Sequence, residues 1–210
     1  MSIPAQSTKD IDQHRAALLR LLATESFRLG DFVLTSGARS DYYIDCRTTT
    51  LHAAGGRLTG LVLYDHIRQH LPFAEAVGGL TMGADPMASN IATASSIYAE
   101  QHTSTPLIHA FLVRKAEKTH GTGRRIEGFV RPGAQVVIVD DTCTTGGSTI
   151  TAIQAVQESG MIVAGVYCLV DREQGGRAAI EAAANPAPFY SLFTANDVRA
   201  EHLRLQSQIT

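Results

Sequence analysis

The sequence predicts an α/β protein: an open, mostly parallel β-sheet flanked by helices, with a small N-terminal hood. Largely apolar runs recur at 76–80, 107–113, 136–139 and 162–170, and the one at 136–139 is unbroken, as in strands buried on both faces. Segments of helical spacing alternate with them, and strand–helix alternation builds a parallel, doubly wound sheet. At 210 residues and 22.5 kDa the chain suits one such domain plus a small accessory element, 1–47 as helix and hood and 48–210 as the core.

Along the chain, 8–28 carries Ile11, Leu18, Leu19 and Leu22 at roughly helical spacing, with Ser7 or Thr8 as a cap and Gly30 past the end. Residues 31–45 hold two short β-type runs around a Gly-containing turn, which predicts a hairpin. The segment 53–71 returns to helical spacing, and its Gly55, Gly56 and Gly60 predict close packing on a sheet. After the strand at 76–80 comes T-M-G-A-D-P, a turn suited to hold a diphosphate by backbone N–H groups. Pro86 there fits the first turn of a helix reaching about Gln101. An edge strand at 187–193 and a helix at 195–205 close the chain.

Composition narrows the function. Hydrophobic residues make up 44% and charged residues 18%, an ordinary globule, and no run approaches the length of a membrane span. The polar first twelve residues lack a signal core, so the expected location is cytoplasmic. Three widely separated cysteines, Cys46, Cys143 and Cys168, form neither a disulfide frame nor a zinc motif. A net charge of −2 gives no general attraction to nucleic acid, so any anion site must be made locally.

One stretch makes such a site. The strand 136–139 runs into Asp140 and Asp141, then Thr142, Cys143, Thr144, Thr145, Gly146, Gly147 and Ser148, and then a helix from about Ile150. A tight Gly/Thr loop between strand and helix aims backbone N–H groups and the positive end of the helix dipole at one spot. The loop lacks the Lys of a P-loop and the G-x-G-x-x-G of a dinucleotide fold. Two acids beside a phosphate cradle need other work, holding sugar hydroxyls or a metal carried by the ligand. A sugar phosphate fits, with its phosphate on Thr144 to Ser148 and its ribose by Asp140 and Asp141. As a bare pair the two Asp equally suit a helix cap; the attached T-T-G-G-S favours the ligand.

A second stretch, 114–128, is basic, contains three glycines and is too long for an ordinary connection, as lids often are. The chain has three lysines, and two of them, Lys115 and Lys118, lie here beside Arg114, Arg124 and Arg125. That placement fits contact with phosphate oxygens, and a solvated tip is the alternative. His120 is suited to proton donation, or is simply a surface residue.

The run V-V-I-V-D-D-T-C-T-T-G-G-S-T resembles the motif with which type I phosphoribosyltransferases bind phosphoribosyl diphosphate (PRPP). R-K-A-E-K-T-H-G at 114–121 is similar to the R-K-x-x-K-x-H-G loop of orotate phosphoribosyltransferases, and the likeness extends over nearly the whole chain. The resemblance implies the type I phosphoribosyltransferase fold and transfer of phosphoribosyl from PRPP to orotate in pyrimidine biosynthesis. It implies PRPP contacts from Arg114, Lys115, Lys118, His120, Asp140, Asp141 and the loop Thr142 to Ser148, with Lys118, His120 and the two acids catalytic. It puts Thr144, Ser36, Gly37 and Tyr43 near orotate, and Arg172 of V-D-R against the orotate carboxylate; on local sequence a salt bridge of Arg172 with Asp171 or Glu173 is the alternative. Mg²⁺ arrives with PRPP, with no direct protein ligand and a water-mediated contact to Asp141. The resemblance also implies a homodimer that shares the basic loop, with Arg114, Lys118 and His120 acting across subunits, and neither nucleic acid nor membrane is expected as a partner. Where many members carry Lys, this chain has Thr35 and Gly83. Salvage of another base and a non-catalytic PRPP sensor are the alternative functions.

Overall fold

The computed structural model describes residues 8–33, 39–102, 104–115 and 125–208. Helix α1, Thr8–Leu21, continues through a π-helical turn, Leu22–Ser26, into strand β1, Phe27–Val33, which pairs antiparallel with β2, Arg39–Ile44. The predicted hairpin is therefore present, but the helix ends earlier than its spacing suggests. Phe27 is already extended and buried, and its ring stacks on Tyr42 at 5.4 Å. That tertiary contact overrides helical propensity. Gly30 consequently lies inside β1 and terminates nothing.

A short helix α2, Arg47–Thr50, precedes α3, Ala53–His70. The glycines of α3 do not face the sheet as expected. A Cβ on Gly60 would stand 2.4 Å from the Asn90 carbonyl, and one on Gly55 2.2 Å from that of Thr49. They let α3 close on its helical neighbours. Next come β3, Ala76–Leu80; α4, Ala84–Gln101; β4, His109–Val113; β5, Ile126–Gly128; and β6, Gln135–Cys143. The chain finishes with α5, Gly147–Glu158; β7, Ile162–Asp171; α6, Gly176–Ala184; β8, Phe189–Thr194; and α7, Ala195–Gln206. A reciprocal cap between Thr194 and Asp197 starts α7.

The six-stranded sheet has the order β5-β4-β3-β6-β7-β8 and is parallel except for β5. Val77, Val137, Val139 and Leu169 pack with α1, α3, α4 and α7 on one face; Val136, Ile138, Val166 and Cys168 pack with α5 and α6 on the other. The α1 residues Leu18 and Leu22 share the first of these clusters. Strand order runs outward in opposite directions from β3 and β6. Open sheets bind ligands at such a switch point, beyond the carboxyl ends of the strands. Among the described residues no helix is long and apolar enough to cross a membrane.

Two expected loops are strand. Residues 126–128 form β5 and pair with β4, which shortens the basic segment from its far end. Strand β6 does not stop at Val139: Asp140 pairs with Cys168, Thr142 with Val170 and Cys143 with Asp171. The two acids therefore stand on a strand, where neighbouring side chains point to opposite faces.

Candidate active site

Beyond the ends of β3 and β6 lies a cleft of about 310 Å³. One wall runs from the end of β2 to the start of α2, with Tyr43 to Asp45 and Arg47; a second is Leu80 to Gly83; the floor is Asp140 to Thr142 with Thr144 and Ser148; Lys115 and Arg172 complete it.

The loop at the floor is shaped by glycine. Gly146 caps α5 with φ +81°, a left-handed conformation, and a Cβ there would meet Ile180 at 2.8 Å. No side chain caps α5, so its first N–H groups face the cleft end of the helix dipole. The Thr144 carbonyl accepts from Gly176 N at 3.0 Å, which ties the loop to α6. Thr144 and Ser148 line the cleft, and Thr145 and Gly147 are exposed. Cys143 supplies only backbone: its side chain is buried in the α5–α6 layer, where strand alternation sends it.

Strand alternation also separates the two acids. Asp140 is 6% exposed; its Oδ2 accepts from Thr149 Oγ1 at 2.7 Å and its Oδ1 from Asp141 N at 3.1 Å. Burial pushes its carboxyl up to about 7. Asp141 is more open, and burial raises it too, opposed by the Arg47 guanidinium. A Cβ on Gly83 would stand 2.5 Å from Asp141 Oδ1, so the bare glycine makes the space this carboxylate occupies. Gly83 has an ordinary φ of −65°, so contact and not backbone strain requires glycine here. Cys46 lies beneath, accepting from Thr142 Oγ1 at 3.4 Å; burial drives its thiol far up, which leaves no thiolate nucleophile in the cleft.

At the opposite end Arg172 is held by Tyr42. Its guanidinium sits 4.9 Å over the ring and Nε donates to the phenol oxygen at 3.3 Å. Neither neighbouring acid pairs with it: Asp171 meets Arg177 at 3.4 Å, and Glu173 accepts from Asn196 at 2.9 Å. Arg172 Nη2 is buried with no hydrogen-bond partner among the described residues. An orphaned guanidinium N–H at a cleft wall is a receptor for an anionic acceptor.

Arg114 does not line this cleft; it pairs with Glu127 at 3.0 Å across β4 and β5. Lys115 does line it. Ser36, Gly37, Lys118 and His120 lie outside the described residues. Sequence reasoning missed Tyr42, Asp45, Arg47 and Thr149. The D-C-R run after the hairpin was a usable signal for two of them, since charged residues at a strand end border the cleft.

An anion cradle, a carboxylate pair and a spare guanidinium, in that order along one cleft, match a phosphorylated sugar joined to an anionic ring. The family model for the phosphoribosyl transferase domain matches residues 82–185, from the turn before α4 through the end of α6. The orotate phosphoribosyltransferase of Thermosynechococcus vestitus is 42% identical over 187 residues, covering 89% of this chain and 93% of that protein. The chain belongs to the orotate phosphoribosyltransferases. The orotate phosphoribosyltransferase of Aquifex aeolicus is 41% identical, covering 88% of this chain and 97% of its own length. Among solved structures, the Mycobacterium tuberculosis orotate phosphoribosyltransferase in complex with PRPP aligns with a TM-score of 0.70 and 35% identity, over 89% of this chain and 99% of that one. These relatives cover more of the chain than the 82–185 match does.

Proposed function

We infer that this enzyme transfers phosphoribosyl from PRPP to orotate, giving orotidine 5′-monophosphate and diphosphate on the route to UMP. The observation that carries the base assignment is the unpartnered Arg172 Nη2, which suits the orotate carboxylate. The 5-phosphate sits on Thr144 to Ser148 at the start of α5, the ribose hydroxyls on Asp141 with Asp140 behind it, and the diphosphate along the Thr81–Gly83 turn. Residues 1–47 act as the hood, and Tyr43, with Ser36 and Gly37, covers the base; residues 48–210 form the core.

In the reaction a ring nitrogen of orotate bonds to C1 of ribose as the C1–O bond to diphosphate breaks. Positive charge grows on the ribose while negative charge grows on the leaving group. The carboxylates of Asp140 and Asp141 stabilise the first; Lys115, Lys118 and His120 neutralise the second, His120 supplying a proton where needed. Each charge-assisted contact made only in the transition state contributes about 1.5–3 kcal/mol, roughly ten- to hundredfold in rate. Closure of the basic segment that follows β4 would keep water from the activated sugar.

Mg²⁺ fits this site as a companion of PRPP. Asp141 lines the cleft and no side-chain hydrogen bond among the described residues occupies its carboxylate, so its hard oxygens suit a hydrated cation carried by the ligand. Bound there, Mg²⁺ adds charge neutralisation on the diphosphate.

We further propose a homodimer in which Arg114, Lys118 and His120 serve the neighbouring cleft. A groove of about 820 Å³ adjoins the cleft and is lined by Leu51 and Met82, both largely exposed, a face suited to a second copy. The three cysteines are free and buried, in keeping with a reducing cytoplasm. The test is absorbance-monitored turnover with PRPP and Mg²⁺. Orotate is expected to be consumed and uracil and adenine left; turnover of adenine in preference to orotate would overturn the assignment.

A further inference from the structure

Arg47 opens α2 and lines both the cleft and the adjoining groove, a junction it shares with Asp45 and Met82. Its guanidinium is held along one edge: Nε donates to Asp45 Oδ1 at 2.8 Å and Nη2 to Oδ2 at 2.7 Å. Nη1 makes no hydrogen bond among the described residues. Asp45 is itself fixed, its N–H donating to the Ser26 carbonyl at 3.0 Å and its carbonyl accepting from Thr48 Oγ1 at 2.8 Å. The pair thus presents a guanidinium in one orientation with donors to spare, the form that recognises paired phosphate oxygens.

The charges around it give that orientation a purpose. Asp45, Asp140 and Asp141 all line the cleft and would repel a diphosphate. Of the described cations on its walls, Arg172 is committed to the base end beside Tyr42, and Lys115 lies at the root of the segment after β4. Arg47, with Met82, lines both the cleft and the groove, and neither Lys115 nor Arg172 lines the groove. The Thr81–Gly83 turn carries no cation at position 83, which is glycine in this chain. A purely structural role is a poor account of the pair: it spans two positions, Arg47 is 43% exposed, and surface ion pairs add little stability.

Building on the phosphoribosyl-transfer reading, we propose that Arg47, oriented by Asp45, contacts the departing diphosphate of PRPP where the cleft opens into the groove. Arg47 is then a catalytic residue and Asp45 a positioning residue. The assignment predicts a loss selective for ligands that carry diphosphate.

The test compares wild type, Arg47→Ala, Arg47→Lys and Asp45→Asn by calorimetric binding of Mg-diphosphate and of orotidine 5′-monophosphate, which lacks the diphosphate, alongside steady-state kinetics. Arg47→Ala should weaken diphosphate binding by about tenfold or more and raise KM for PRPP, with nucleotide binding changed by less than about twofold. Arg47→Lys should recover part of the loss, since an ammonium keeps the charge but not the fork, and Asp45→Asn should show a smaller loss with the same selectivity. Equal weakening of both ligands, or of neither, would overturn the assignment. Should Arg47→Ala fail to fold, Arg47→Lys decides: selectivity for diphosphate supports the role and its absence refutes it. Wild type that turns over orotate while Arg47→Ala binds diphosphate normally sinks this residue alone; wild type that binds no PRPP sinks the function itself.

Discussion

At the end of the cleft proposed for the sugar phosphate, the acids, the loop and Thr149 all come from the single run 140–149; at the end proposed for the base, Tyr42 and Arg172 meet from positions 130 apart. The first region is set by local backbone: strand alternation places the acids, and a left-handed Gly146 starts the helix. The second exists only once β2 has folded over the end of β7. On the proposed function, catalytic charge is thus written locally and base choice depends on tertiary assembly.

If the two ends work separately, substitutions should divide by which kinetic constant they move. The largest effect belongs to Asp141→Asn, which removes charge beside the ribose. We expect kcat to fall by about a hundredfold with orotate and with any other accepted base alike. A loss confined to orotate, read from steady-state kinetics, would merge the two ends. Next comes Lys118→Ala, expected to lower kcat by about tenfold or more while PRPP binding changes far less. Equal losses in both would remove Lys118 from transition-state stabilisation.

Tyr42→Phe sharpens the comparison from the other side. Losing the 3.3 Å bond but keeping the ring under Arg172 should raise KM for orotate by about two- to fivefold and leave KM for PRPP unchanged. A shift in both constants would mean that the hood, not the guanidinium, had moved.

The smallest effect concerns stability. Burial raises the folded Asp140 carboxyl to about 7, above its unfolded value, so its contribution to stability is present at low pH and is lost as pH rises through about 7. The melting midpoint of wild type minus that of Asp140→Asn should therefore fall between about pH 4 and pH 7 and level off above. A flat difference would mean that Thr149 and the Asp141 N–H fully compensate for burial.

The same contrast explains what could be read in advance. The sheet, the hairpin, the α5 loop and the acids were legible because apolar runs and Gly-rich turns are local signals. The extra length of β6 was not, since Asp140 and Asp141 are poor strand formers in a run kept in the sheet by pairing with β7. The end of the first helix was missed because Phe27 answers to Tyr42, not to its own neighbours. Arg172 was legible as a guanidinium at a strand end, but not that Asp171 and Glu173 would turn to Arg177 and Asn196 and leave it without a carboxylate partner among the described residues. Tyr43 was a candidate and its neighbour Tyr42 was not; only the folded β2 puts Tyr42 under Arg172 and Tyr43 on the cleft wall.

The division of the cleft is tested most directly by the ratio of kcat/KM for orotate to that for uracil, in wild type and in Arg172→Gln. Wild type should prefer orotate by about a hundredfold or more, and the substitution should reduce that preference by at least about tenfold while KM for PRPP stays within about twofold. An undiminished preference, or a PRPP constant that moves with it, would contradict the account.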